Sequence, residues 1–228
     1  MSGQHRSVWT EMVQHAGELD QSVECLADAH AVIAETLDRS VRNIERLVEG
    51  LPRLGYVFKP GDGLAVRKAP AAHDAALLES IEFSVGPFPL AFRSWLLRVG
   101  EVNLIGRHDA WTPDGTHSRN DPLVVQCSPA FIFTEREGWE LDRGTVHDRG
   151  PFRISVAPDS LHKANISGGA PYELDIPNSG VDGLLLGQRS QTTFINHVRQ
   201  CFEGGGFADW PDGPPADLLP LIGSLERI

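Results

Sequence analysis

The sequence predicts an α+β fold: a mostly antiparallel sheet flanked by helices, with a long N-terminal helix. Three observations carry this expectation. Between Ser22 and Leu51 apolar residues recur every three or four positions, the period of a helix. From Leu123 to Ile176 short apolar and aromatic runs are broken by turn residues, as in a set of short strands. Helical patterns flank that run without the strand–helix–strand alternation of a parallel sheet.

Bulk composition narrows the function classes. The chain has 228 residues, of which 41% are apolar, enough for a sizeable core. Acidic residues number 31 against 20 basic ones, a formal net charge of −11. Nucleic-acid and anionic-membrane surfaces need clustered Lys and Arg, so this balance argues against both and allows steering towards a basic partner. The three cysteines, Cys25, Cys127 and Cys201, are far apart and odd in number. They form neither a disulfide framework nor a zinc motif and read as buried free thiols in a reducing compartment. The opening Met-Ser-Gly-Gln-His-Arg has no apolar stretch of the signal-peptide kind, and no apolar run reaches the roughly 18 residues of a membrane span. A cytoplasmic location is the expectation.

Taken in order, residues 1–20 are polar with little pattern. The long helix follows, with Val23, Leu26, His30, Ile33, Leu37, Val41, Ile44, Val48 and Leu51 along one stripe. At 1.5 Å per residue it runs roughly 40 Å, and Gly50 and Pro52 mark its end. The stripe either covers an edge of the domain or pairs with another helix as a homo-oligomer seam through residues 22–51. Leu54 to Phe58 reads as a strand, Pro60 to Gly63 as a turn, and Leu64 to Val66 as a returning hairpin partner. A soft boundary near residue 60 divides an N-terminal helical segment, 1–60, from an α+β domain, 61–228. Ala71 to Val85 is a second helix. The segment from Gly86 to Gly106 is a proline-led turn, a short helix with Leu90, Trp95, Leu96 and Val99 on its apolar face, a glycine stop at Gly100 and a strand. A polar loop spans 108–122. Leu123 to Val125, Ala130 to Phe133, Trp139 to Leu141, Phe152 to Val156, Tyr172 to Ile176 and Val181 to Leu186 read as strands. Thr192 to Phe202 is a helix closed by Gly204 to Gly206, and the apolar segment Leu218 to Leu225 is expected to dock.

Three patterns suggest chemistry. Ser160-Leu-His-Lys163 has the spacing of a serine nucleophile and a lysine base one helical turn apart. It follows Pro158-Asp159, however, where Asp159 or Ser160 serves as a helix N-cap and Lys163 is expected in solvent. His108, Asp109, His117 and Asp121 lie on one loop at spacings that match no metal-ligand pattern and read as surface residues. The glycine runs lack the Gly-Lys-Ser/Thr ending of a phosphate loop. No cofactor, metal or catalytic residue is therefore expected.

The segment Phe88-Pro89-Leu90, Phe92-Arg93-Ser94-Trp95-Leu96, Gly100 and the strand to Gly106 resembles the core signature of the SUKH (SMI/KNR-like) superfamily. There, too, a proline-led helix carrying aromatics runs into a glycine and a strand. The likeness covers about residues 70–210; Glu101 replaces the usual second glycine, and the long N-terminal helix lies outside the common core. The resemblance implies one sheet with packed helices and a non-enzymatic binding role, often that of a bacterial immunity protein that neutralises a toxin, commonly a nuclease. A regulatory or scaffold protein associating through the long helix is the alternative, and a hydrolase using Ser160 and Lys163 the third. For a protein partner the loops 107–122 and 157–172 offer Trp111, Asp114, Asp121, His162, Asn165 and Tyr172 as contacts, with Trp139 and Trp210 as further aromatic anchors.

Overall fold

The computed structural model describes residues 23–59, 65–111, 120–189 and 191–228, with side chains described from residue 27. The expected turn at Pro60 to Gly63 and the segment 1–20 lie outside these residues. The chain is α+β, with short antiparallel sheets among helices.

Helix α1, Val23–Arg53, is the long N-terminal helix. Its buried line runs through Ala29, Ile33, Leu37, Ser40, Ile44, Leu47 and Leu51. The stripe is rotated from the expected one: His30 is exposed, and Val41 and Val48 lie at its margin. These apolar side chains join the same core as the strands and pack towards α3, β1 and α7, so the stripe is covered by the chain's own elements. The last of these, α7 (Leu219–Ser224), fulfils the expectation that the C-terminal apolar segment docks. Beyond it the tail lies along the flank of α1. Arg42 makes two hydrogen bonds to the Glu226 carboxylate at 2.9 and 2.7 Å, and Arg46 adds a third at 2.9 Å. The buried amide of Asn43 exchanges hydrogen bonds with the backbone of Glu226, 2.8 Å in each direction.

Helix α2, Asp74–Val85, leads into α3, Leu90–Arg98, which is the centre of the fold. A helix start leaves N–H groups without intrahelical partners. Here the N–H groups of Leu90 and Ala91 donate to the carbonyls of Gly180 and Val181, at 3.0 and 2.9 Å. Ala91, Phe92, Trp95, Leu96 and Val99 are buried, and Phe92 and Trp95 both meet the Phe194 ring edge-on. The helix ends at Gly100, whose φ of 83° lies in the left-handed region. A Cβ there would collide with the Lys68 carbonyl, so glycine is required twice over. Trp95 fixes the turn by donating its indole N–H to the Gly100 carbonyl at 2.9 Å.

The strands are short and form three sheets rather than one. β1 (Val57–Phe58) pairs with β4 (Gly106–Arg107). β2 (Arg67–Lys68), β3 (Glu101–Asn103) and β5 (Val124–Val125) form the second sheet, with β3 central. β6 (Arg153–Ala157) and β7 (Tyr172–Asp175) form the third. All pairs are antiparallel, and the Gln126 N–H links the second sheet to the third by donating to the Val156 carbonyl at 3.0 Å.

Three expected elements differ. The hairpin between Leu54–Phe58 and Leu64–Val66 is absent among the described residues, because β1 and β2 each pair with a segment beyond residue 100. The runs Ala130 to Phe133 and Trp139 to Leu141 are not strands but parts of one helix, α4, Pro129–Asp142. Ser128 caps it by accepting the Phe131 N–H, and Pro129 fits the first turn, where no N–H donor is needed. Val181 to Leu186 makes only isolated bridges, with Leu186 against Glu173 and Leu184 against Thr193. Helix α6, Phe194–Glu203, follows as expected, its Phe194, Ile195, Val198 and Phe202 buried. Among the described residues no helix is long and apolar enough to cross a membrane.

Candidate functional site

The fold brings the two candidate loops together, Asp121 of the first meeting Lys163 and Tyr172 of the second beside α6. Asp121 ends the first loop, and its φ of 50° is one that Asp tolerates better than most residues. The second loop folds into a single turn, α5, Ser160–Lys163. Asp159 is its N-cap, accepting the N–H groups of Leu161 and His162 at 2.8 and 3.3 Å and pairing with the His162 ring. Burial by itself raises the Asp159 pKa. The hydrogen bonds from His162 and the two N–H groups outweigh burial and hold the carboxyl below the usual range.

Lys163 overturns an expectation. It is not solvated: its side chain is 0% exposed, and its ammonium donates to Asp121 Oδ1 at 2.7 Å. The reason is the turn α5 itself, which directs position 163 inward while His162 stays at the surface. Tyr172 completes the group. Its hydroxyl donates to Asp121 Oδ2 at 3.0 Å, and its ring lies 4.6 Å from the Lys163 ammonium. Burial, then the Asp121 charge, pushes the Tyr172 phenol up and keeps it neutral, against an opposing hydrogen bond from Ser160. His197 of α6 meets the Tyr172 ring edge-on at 5.6 Å and has Cys201 Sγ 3.8 Å from its Nε2. Burial, with the Lys163 charge, lowers the His197 pKa to about 4, so the imidazole is neutral. Cys201 is a buried thiol pushed up by burial, and Cys127 is another.

Chemically this is a closed electrostatic knot. The carboxylate, the ammonium and the phenol satisfy one another. The nucleophile–base reading requires a neutral Lys163 amine with its lone pair open to the Ser160 proton, whereas here the Lys163 nitrogen donates to the Asp121 carboxylate.

The named partner-contact residues separate into three groups. Asp121 and Tyr172 are interior, at 4% and 3% exposure. His162 and Asn165 are at the surface beside them, Asn165 with a φ of 59°. Trp111 is half-buried, stacked on His108 at 4.1 Å and packed against Tyr56, Phe207 and Trp210. Asp114 lies outside the described residues. Of the loop residues that read as surface groups, His108 is engaged with Trp111 and the Leu54 carbonyl, and Asp121 is not at the surface but buried and held by Lys163. No group of three or more His, Cys, Asp or Glu is placed to hold a metal among the described residues.

Sequence reasoning missed a concave feature elsewhere on the surface. Helix α4 lies over β6 and, with the turn before β6, encloses a cleft of about 360 Å³ lined by Glu135, Trp139, Phe152, Ser155 and Glu173. The sequence reads Trp139 as a strand residue; its cleft position follows from the helix, which sets Glu135 and Trp139 four residues apart on one face.

No protein-family model matches the chain, and neither a curated protein nor a solved structure matches it.

Proposed function

We propose that the protein is a non-enzymatic binding protein of the immunity type, which neutralises a basic toxin such as a nuclease by direct contact inside the cell. One observation supports the reading: the segment from Phe88 to Asn103 forms a proline-led helix, a glycine stop and a strand, the local pattern on which the resemblance to the SUKH superfamily rests. Pro89 precedes α3, its aromatics are buried, Gly100 makes the left-handed stop, and β3 follows as the central strand of its sheet. The net charge of −11 suits a basic partner through long-range steering. The closed Asp121–Lys163–Tyr172 group supports a stabilising role rather than a catalytic one for those residues. A scaffold role through residues 22–51 finds less support, because the apolar stripe of α1 faces the chain's own core.

The test is co-expression with the products of neighbouring genes, followed by affinity capture. Rescue of growth from one of them, with a stable complex on purification, is the expected result. Toxicity that persists with every neighbour, and no complex, would sink the proposal.

A further inference from the structure

The buried group around α5 holds two bases and one carboxylate. Asp121 accepts from the Lys163 ammonium at 2.7 Å and from the Tyr172 hydroxyl at 3.0 Å. The second base, His197, is 3% exposed and meets the Tyr172 ring edge-on. Its Nδ1 is buried without a hydrogen-bond partner among the described residues, and its Nε2 lies 3.8 Å from Cys201 Sγ. The charges that act on it are those of Lys163, from α5, and Asp121, from the first loop. Tyr172 of β7 and Cys201 of its own helix are the titratable groups it meets. A proton added to His197 places a second cation near Lys163 in the interior, with one carboxylate to answer both.

The two bases are not equally easy to move. His197 belongs to the ten-residue helix α6, among the buried Ile195, Val198, Cys201 and Phe202. Lys163 ends a turn of four residues. Around it Leu161, His162, Asn165 and residues 167–170 are exposed, and only Lys163 and Ala164 are fully buried. The turn is held mainly by bonds within itself, among them Lys163 N–H to the Asp159 carbonyl at 3.0 Å and Ile166 N–H to the Leu161 carbonyl at 2.9 Å. Segments with few buried apolar groups and exposed backbone hydrogen bonds open at low cost. Strain between the two cations is therefore relieved at α5 and not at α6.

We propose that residues 160–170 form an acid-released flap: protonation of His197 expels the Lys163 ammonium into solvent and lifts α5 away from Tyr172 and α6 while the rest of the chain stays folded. In the lifted form the imidazole loses the neighbouring ammonium, keeps Asp121 and gains water, so it takes up a proton that the closed form, with His197 near 4, refuses. Opening therefore strengthens as pH falls from about 6.5 towards about 4. The cap is not the trigger, because the Asp159 carboxyl is held below the usual range and keeps its charge over most of that interval. The device goes beyond the binding-protein reading and does not depend on it.

Hydrogen–deuterium exchange of the full chain, read by mass spectrometry at pH 7 and pH 4.5 with exposure times matched for the intrinsic rate, tests it. Peptides spanning residues 160–170 are expected to lose protection by about tenfold or more at the lower pH, while peptides from α3 and α6 keep theirs. His197→Gln, checked for folding by its melting curve, is expected to hold the flap closed at both pH values. No loss in wild type, an equal loss along the whole chain, or the same loss in folded His197→Gln overturns the proposal. Lys163→Met gives a second reading should His197→Gln not fold. It removes the competing cation, so the His197 imidazole, followed by NMR, is expected to titrate about one pH unit or more above wild type. An unchanged titration overturns the proposal as well.

Discussion

Two ion pairs in this molecule have the same length and different surroundings. Lys163 and Asp121 meet at 2.7 Å with side chains 0% and 6% exposed. Arg42 and Glu226 meet at 2.7 Å with side chains 44% and 30% exposed. Distance does not separate them; water does. At the surface, solvent and salt screen the attraction, and each partner is well hydrated without the other. In the interior each ion depends on its partner, because the alternative is a bare charge in a poorly polarisable medium. The pair with Lys163 therefore dictates how the 120s and 160s meet. The pair with Glu226 adjusts a contact that Asn43 and the apolar residues of α7 also make.

The contrast is broken most directly by Asp121→Ala. This leaves the Lys163 ammonium buried without its carboxylate and is expected to remove about 3–5 kcal/mol of stability, measured by urea unfolding. Replacing both ions with apolar residues, Asp121→Leu with Lys163→Met, should restore much of that loss. A single Asp121→Ala variant within about 1 kcal/mol of wild type would show that the interior pair behaves like a surface one.

Next in size are two titrating groups, one buried and one part-buried, with opposite slopes. His197 has its pKa lowered by burial to about 4 from its ordinary 6.5, so acidification protonates the unfolded chain first. Its contribution to stability is lost as pH falls from about 6.5 to about 4. Asp182, which accepts N–H groups of Gly183 and Ile195 at the start of α6, has its pKa raised by burial to about 6 from 3.8. The folded chain binds that proton first, so stability from Asp182 rises as pH falls from about 6 to about 4. Each slope amounts to roughly 3 kcal/mol across its window, and the two oppose each other. His197→Gln is expected to grow more stable between pH 6 and 4 relative to wild type, and Asp182→Asn less stable. Parallel curves for all three proteins would contradict the assignment.

A smaller effect belongs to Asp159→Ala, which removes the cap of α5 and should reduce stability by about 1 kcal/mol. A loss near that of Asp121→Ala would mean that the cap also holds Lys163 in place. Smallest is Glu226→Gln. Its effect on the melting temperature should be slight at low salt and vanish at about 0.5 M salt; a large, salt-insensitive loss would erase the distinction drawn between the two pairs.

Sequence reading succeeded where the signal is local. The helical period of α1, the proline, aromatics and glycine around α3, the alternation in β6 and β7, and the cap at Asp159 all lie within a few residues of what they specify. It failed where the partner is remote. Nothing near Lys163 announces that Asp121, 42 positions away, will neutralise it, and a lysine after a serine-led turn reads as solvated. Leu54–Phe58 and Leu64–Val66 read as a hairpin because Pro60 to Gly63 has the composition of a turn, while β1 and β2 pair with strands beyond residue 100. The α4 error had a local remedy. Ser128-Pro129 is a helix-start signal, but the aromatic density of Ala130 to Phe133 favoured strand. The cleft followed α4 out of view, since Glu135 and Trp139 share a wall only if the segment is helical.

The C-terminal tail along α1 has a temporal consequence. Arg42, Asn43 and Arg46 find Glu226 some 180 residues later in the chain. On the ribosome, α1 emerges early and its final covering arrives late. The flank facing the tail, and the apolar surface under α7, stay open until residues 219–226 have been made. Contacts of such sequence separation slow folding and prolong exposure of unfinished surface. A chain cut before residue 218 would therefore leave the apolar surface under α7 uncovered.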